Sequence, residues 1–75
     1  MTMGDIPVLK PHEVTIILER LGFTLVRQRG LHKQYRHLDG RGTTVPSHQG
    51  RDISPILLRR IARDINMTVP EFIRS

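Results

Sequence analysis

The residues whose types and spacing bear on chemistry lie together near the centre of the 75-residue chain. Gly30-Leu31-His32-Lys33-Gln34-Tyr35 is a glycine break followed by a histidine inside a strand-like run, with Arg27 and Arg29 just upstream and Arg36 just after. Histidine is the side chain whose ordinary pKa, about 6.5, falls closest to neutrality. Among cations it suits cleavage of RNA without a metal. A base takes the proton of a ribose 2′-hydroxyl, the oxygen attacks the neighbouring phosphorus, and positive side chains hold the charge that develops there. The same residues also fit a plain surface histidine in a basic strand, so on chemistry alone both readings stand.

Other chemistries fit the sequence less well. His12, His32, His37 and His48 have neither the i, i+4 spacing of a helical metal pair nor any cysteine beside them, so no metal and no other cofactor is expected. The seven acidic residues are scattered, with no close pair for acid and base roles or for a two-metal centre. Ser47-His48 lacks the glycine elbow that presents a serine nucleophile. Gly40-Arg41-Gly42 reads as a turn, because a phosphate-binding loop needs a following Lys-Ser or Lys-Thr and a helix.

Charge points to the same region. The formal net charge is +5, and Phe23 to Arg51 alone carries six basic residues against one acid. Ten of the twelve cations are arginine, whose planar fork matches phosphate better than the point charge of lysine. Polyanion binding is the natural expectation. A chain this short has a small core and little room for a deep, enclosed pocket. Without cysteine there is no disulfide frame and no thiolate site. No apolar run approaches the length of a membrane span, and the first residues lack the order of a signal sequence, so a cytoplasmic location without membrane contact is expected.

Three strands and two helices must position these residues. After an extended lead-in, Pro11 opens a helix in which Val14, Ile17, Leu18 and Leu21 form one apolar stripe and Gly22 is the stop. Phe23 to Arg29 alternates as a strand, with Phe23 and Leu25 on one side and Thr24, Val26 and Gln28 on the other. Leu31 to His37 predicts a second strand, Asp39-Gly40 a hairpin turn with positive φ at both central residues, and Thr43 to Val45 a third strand closed by Pro46. A second helix begins near Ser54-Pro55, with Leu57, Leu58, Ile61, Ala62 and Ile65 on one face and Arg59, Arg60 and Arg63 on the other. Thr68-Val69-Pro70-Glu71 has capping-box spacing and predicts a last short helix through Phe72 and Ile73. The expectation is an α+β domain of α-β-β-β-α order: a three-stranded antiparallel sheet with two helices on one face and the other face open. In the second strand His32, Gln34 and Arg36 are assigned to the open face, and Leu31, Lys33 and Tyr35 to the helix side, unless a bulge at Gly30 shifts the register.

A family resemblance adds to this reading. Ile6-Pro7-Val8-Leu9, Leu21-Gly22-Phe23, Val26-Arg27-Gln28-Arg29-Gly30, His32, Tyr35-Arg36-His37, Asp39-Gly40-Arg41, Val45-Pro46-Ser47-His48, Leu57-Leu58-Arg59-Arg60-Ile61 and Glu71-Phe72 follow one another in order along nearly the whole chain. Together they resemble the HicA (YcfA-like) mRNA interferase toxins. The resemblance implies one toxin domain over residues 1–75 with a fold like that of double-stranded-RNA-binding domains. It also implies cleavage of messenger RNA by the histidine of a Gly-Ser-His motif, and a HicB antitoxin that silences the toxin. The matching histidine is His32. Val-Pro-x-His also recurs in that family, which makes His48 either a second imidazole near the sheet edge or a loop histidine that hydrogen-bonds to the backbone. Where the family usually has serine, this chain has Leu31.

The leading expectation is therefore the toxin of a type II toxin-antitoxin pair that cuts RNA with His32 as general base or acid. Arg27, Arg29, Lys33, Arg36 and His48 would hold the RNA backbone. The alternative, motivated by Leu31, is a non-catalytic RNA-binding module of the same fold. A third reading is a structural protein whose arginines pair with an acidic partner.

Overall fold

The structure is a computed structural model that describes residues 8–47 and 50–75. Its elements are α1 (Pro11–Arg20), β1 (Thr24–Arg29), β2 (His32–Arg36), β3 (Gly42–Pro46), α2 (Pro55–Asp64) and α3 (Val69–Ile73). This is the α-β-β-β-α order read from periodicity, followed by the short last helix.

Each helix begins and ends where the local chemistry requires it. Pro11 takes the first turn of α1, where a missing N–H costs nothing, and the Glu13 carboxylate accepts the Lys10 N–H at 2.7 Å. Gly22 takes φ +96° just past the end of α1, while the Phe23 N–H donates to Leu18 O at 2.9 Å and the Gly22 N–H to Glu19 O at 3.0 Å. That pair of bonds is a Schellman cap, and it turns the chain into β1. A side chain at residue 22 would also meet the His37 ring, since a Cβ there lies 3.0 Å from Nε2. In α2 the Ser54 hydroxyl accepts the Leu57 N–H at 3.2 Å, and Asn66, at φ 61°, closes the other end the way Gly22 closes α1. The capping box expected at Thr68 is present: Thr68 Oγ1 accepts the Glu71 N–H at 3.2 Å, and Glu71 accepts the Thr68 N–H at 2.8 Å.

The strands form an antiparallel meander in the order β1-β2-β3. Its two hairpins differ from the expectation in instructive ways. The second strand starts at His32, because Gly30, at φ +55°, and Leu31 form a two-residue turn between the paired residues Arg29 and His32. Leu31 is therefore a turn residue at the hairpin tip, 46% exposed. In the β2–β3 turn only Gly40 has a positive φ. The Gly40 N–H donates to His37 O at 3.0 Å and the His37 N–H to Arg41 O at 2.8 Å, which makes a three-residue loop rather than a two-residue one.

Asp39 secures that loop. Its carboxylate accepts the Arg41 backbone N–H at 3.0 Å and the Arg41 guanidinium at 2.8 Å, and these bonds hold it below the usual carboxylate range. Arg41 also donates to Ile65 O at 2.8 Å and lies over the Phe23 ring, which His37 meets edge-on. A carboxylate with a lowered folded-state pKa stabilises the fold above its unfolded pKa, and that contribution is lost as pH falls through the folded value. The urea midpoint of the wild type is accordingly expected to exceed that of Asp39→Asn at neutral pH. The gap should close once the pH is taken below the ordinary carboxylate range. An unchanged gap in acid would mean that Asp39 acts only through shape.

The core lies between one face of the sheet and the helices. Val14 and Leu18 of α1, Phe23, Tyr35 of β2, Val45 of β3 and Leu58, Ile61 and Ala62 of α2 are buried together. An isolated antiparallel bridge between Leu9 and Ile53 ties the lead-in to the segment before α2. Tyr35, 4% exposed, belongs to this core, and burial pushes its hydroxyl up in pKa against a bond to Thr15.

Candidate nucleic-acid interface

Which side chains share the open face follows from pairing. Directly opposed residues of an antiparallel ladder project to the same side. Across β2, Arg29 pairs with His32 and His32 with Pro46, while Arg27 pairs with Gln34 and Gln34 with Thr44. Tyr35, one residue along from Gln34, points into the core, so this row lies on the face away from the helices. His32 is exposed at the first position of β2, and Arg29 stands across from it at roughly 4.5–5.5 Å between Cβ atoms.

The arginines reach this face through an irregularity. The register shifts between Leu25 and Arg27, so Val26 is an extra residue in β1, a β-bulge. Strict alternation from Leu25, which pairs with the core residue Tyr35, would send Arg27 and Arg29 to the helix side. The bulge changes the phase and brings both beside His32 and Gln34.

The remaining residues named from the sequence divide. Arg36 lies on the same face as His32 but four residues along β2, roughly 13 Å away. Lys33 lies on the helix side, where it lines a small hollow of about 250 Å³ with Lys10, His12, Thr15 and Arg51 beside the start of α1. His48 lies outside the described residues.

The open face continues into a concavity of about 830 Å³ whose far wall is α2. His32, Gln34, Arg36 and Thr44 line the sheet side, and Leu57, Arg60 and Asp64 the helix side. Two bonds fix the walls together. The Arg60 guanidinium donates to Thr44 O at 3.3 Å over the outer edge of β3, and the Thr43 hydroxyl donates to Asp64 at 3.0 Å. The three arginines of α2, alike in sequence, thereby separate: Arg60 joins the site, while Arg59 and Arg63 line another hollow against α3. Leu57, at the margin of the apolar stripe, shares one side of α2 with Arg60 and Asp64, three and seven residues on.

The family model for the HicA toxin of bacterial toxin-antitoxin pairs matches residues 11–67. The chain belongs to the HicA toxin family. No curated protein matches it. As a HicA-family toxin it belongs with an antitoxin partner. The matched stretch runs from the first residue of α1 past the end of α2, so it holds the whole sheet and His32 and leaves α3 outside. No helix among the described residues is long and apolar enough to cross a membrane.

Proposed function

We propose that this HicA-family chain is a metal-independent endoribonuclease, silenced by a HicB-like antitoxin that covers its open sheet face. The observation that carries the reading is His32, exposed at a hairpin tip with Arg29 directly across from it on the uncovered face of a toxin-family fold. The His32 imidazole takes the proton of the ribose 2′-hydroxyl. The freed oxygen attacks the adjacent phosphorus, the bond to the 5′-oxygen of the next nucleotide breaks, that oxygen takes up a proton from water, and the His32 imidazolium returns its proton to solvent. The products are a 2′,3′-cyclic phosphate and a 5′-hydroxyl. Arg29 and Arg27 hold the phosphate as its charge builds, and Arg36 holds the strand further along. Lys33, on the other side of the sheet, and His48 add further contacts to the RNA backbone. An acidic partner surface is drawn to the same arginines, which gives fast capture, and its binding stabilises a small domain.

The decisive measurement uses purified chain and single-stranded RNA with EDTA present. Cleavage is expected to persist in the chelator, to leave a cyclic phosphate, and to fail where the ribose at the cut site is 2′-deoxy. A strict need for metal, or cutting of the deoxy substrate, overturns the mechanism. The second reading, RNA binding without cutting, is favoured by one observation: the half-exposed Leu31 beside His32 offers an aliphatic group where a hydroxyl would bond phosphate. Its signature is tight, salt-sensitive binding with no product after long incubation.

A further inference from the structure

Cations along β1 and β2 hold any RNA alike, whereas the concavity beside them is furnished differently. Gln34 and Thr44 are direct cross-strand partners on its floor. Among the described residues, neither the Gln34 amide nor the Thr44 hydroxyl is engaged by another protein group. The amide offers both donors and an acceptor, and the hydroxyl offers one of each. Asp64 adds a carboxylate that no cation neutralises among the described ion pairs. A carboxylate repels phosphate but accepts hydrogen bonds from the N–H edges of a base. Arg60 presents a guanidinium plane steadied by Thr44 O, and Val26 and Leu57 supply apolar flanks. The volume, about 830 Å³, lies in the ~300–1,000 Å³ range of small-molecule sites.

From this furnishing we infer that the concavity is a nucleobase subsite, which takes one unstacked base of a single-stranded RNA and reads its edge with Gln34 and Thr44. The inference rests on the ribonuclease reading for its ligand class and adds selectivity to it. His32 is two residues from Gln34 on the same face, roughly 6.6 Å along the strand, so a base seated here belongs to the nucleotide at or next to the phosphate held by Arg29. The flat faces of the base rest on the Arg60 plane and the aliphatic flanks, as unstacked bases do on arginine and apolar groups. A duplex cannot use the site, because its bases are stacked and their pairing edges are occupied.

The test is a binding panel of 2′-fluoro homopolymer strands of the four bases and one 2′-fluoro duplex, all unable to undergo attack by a 2′-hydroxyl. Wild-type chain is expected to prefer one base over the least favoured by tenfold or more and to bind the duplex more weakly than its best single strand. Gln34→Leu and Thr44→Val, which keep size and strand propensity, are expected to shrink that preference below threefold while mean affinity stays within threefold. Arg27→Ala with Arg29→Ala should instead weaken all four strands together and keep the preference, and circular dichroism checks that every variant is folded. Equal affinity of the wild type for the four bases, an unchanged preference in both variants, or tighter binding of the duplex overturns the subsite. Selective binding without cleavage of ordinary RNA would sink the ribonuclease reading and leave the subsite standing.

Discussion

Replacing His32 with alanine is expected to lower the rate of RNA cleavage by about 10²- to 10⁴-fold, the range a positioned acid or base contributes. The fold should not notice the change. His32 is exposed at the start of β2, outside the buried cluster, and surface changes of this kind alter stability by no more than about 0.5 kcal/mol. RNA affinity should hold as well, because the proposed mechanism assigns the backbone to Arg27, Arg29 and Arg36. The check is a single-turnover cleavage rate beside an affinity and a melting curve, with growth on induction in a host that lacks the antitoxin. Equal rates, or RNA left intact by both proteins, would remove His32 from the chemistry. Serine at position 31 is the internal comparison. Because Leu31 sits in the turn and not in the core, Leu31→Ser leaves the fold alone, and a rise in rate identifies the turn residue as what limits the natural chain.

The helices and the order of strands were legible because their apolar periods and caps agree. The stripe of Val14, Ile17, Leu18 and Leu21, the stop at Gly22 and the box at Thr68 each name one local structure, and tertiary packing does not oppose them. The open-face set of His32, Gln34 and Arg36 was also legible, since all three are polar, and Tyr35 of the opposite set is buried in the core. What pattern reading missed depends on pairing between strands. A bulge was considered at Gly30, yet Gly30 makes a clean two-residue turn and the irregularity falls at Val26. A β-branched residue in a regular-looking strand gives no warning of a bulge, and the face of Arg27 and Arg29 hangs on it. Arg60 went unassigned for a related reason: its place depends on how α2 sits against the edge of β3, which the Thr43 to Asp64 bond helps to set. Lys33 shows the reverse case, a cation near His32 in sequence that the pleat sends to the other side of the sheet.

The chain beyond Met67 should matter as much to the toxin as His32 does, through stability. Phe72 of α3 is fully buried in the same cluster as Leu18, Phe23 and Ile61, although it lies outside the stretch that matches the family. Removing a buried phenylalanine ring costs about 3–5 kcal/mol, the transfer of the side chain plus the cavity it leaves. A domain of this length has roughly 4–11 kcal/mol in all, at about 0.05–0.15 kcal/mol per residue. Phe72→Ala is therefore expected to remove about a quarter of the stability or more, and ending the chain after Met67 to remove more, because α3 would no longer pack on α2. Urea midpoints measure both, and a variant within 1 kcal/mol of the wild type would show that the core closes without α3. The two predictions separate in cells. His32→Ala yields abundant folded protein that does not cut, whereas Phe72→Ala yields an intact site on a chain too often unfolded, so cooling or a bound antitoxin restores its level. Loss of toxicity alone would not distinguish them; the amount of folded chain does.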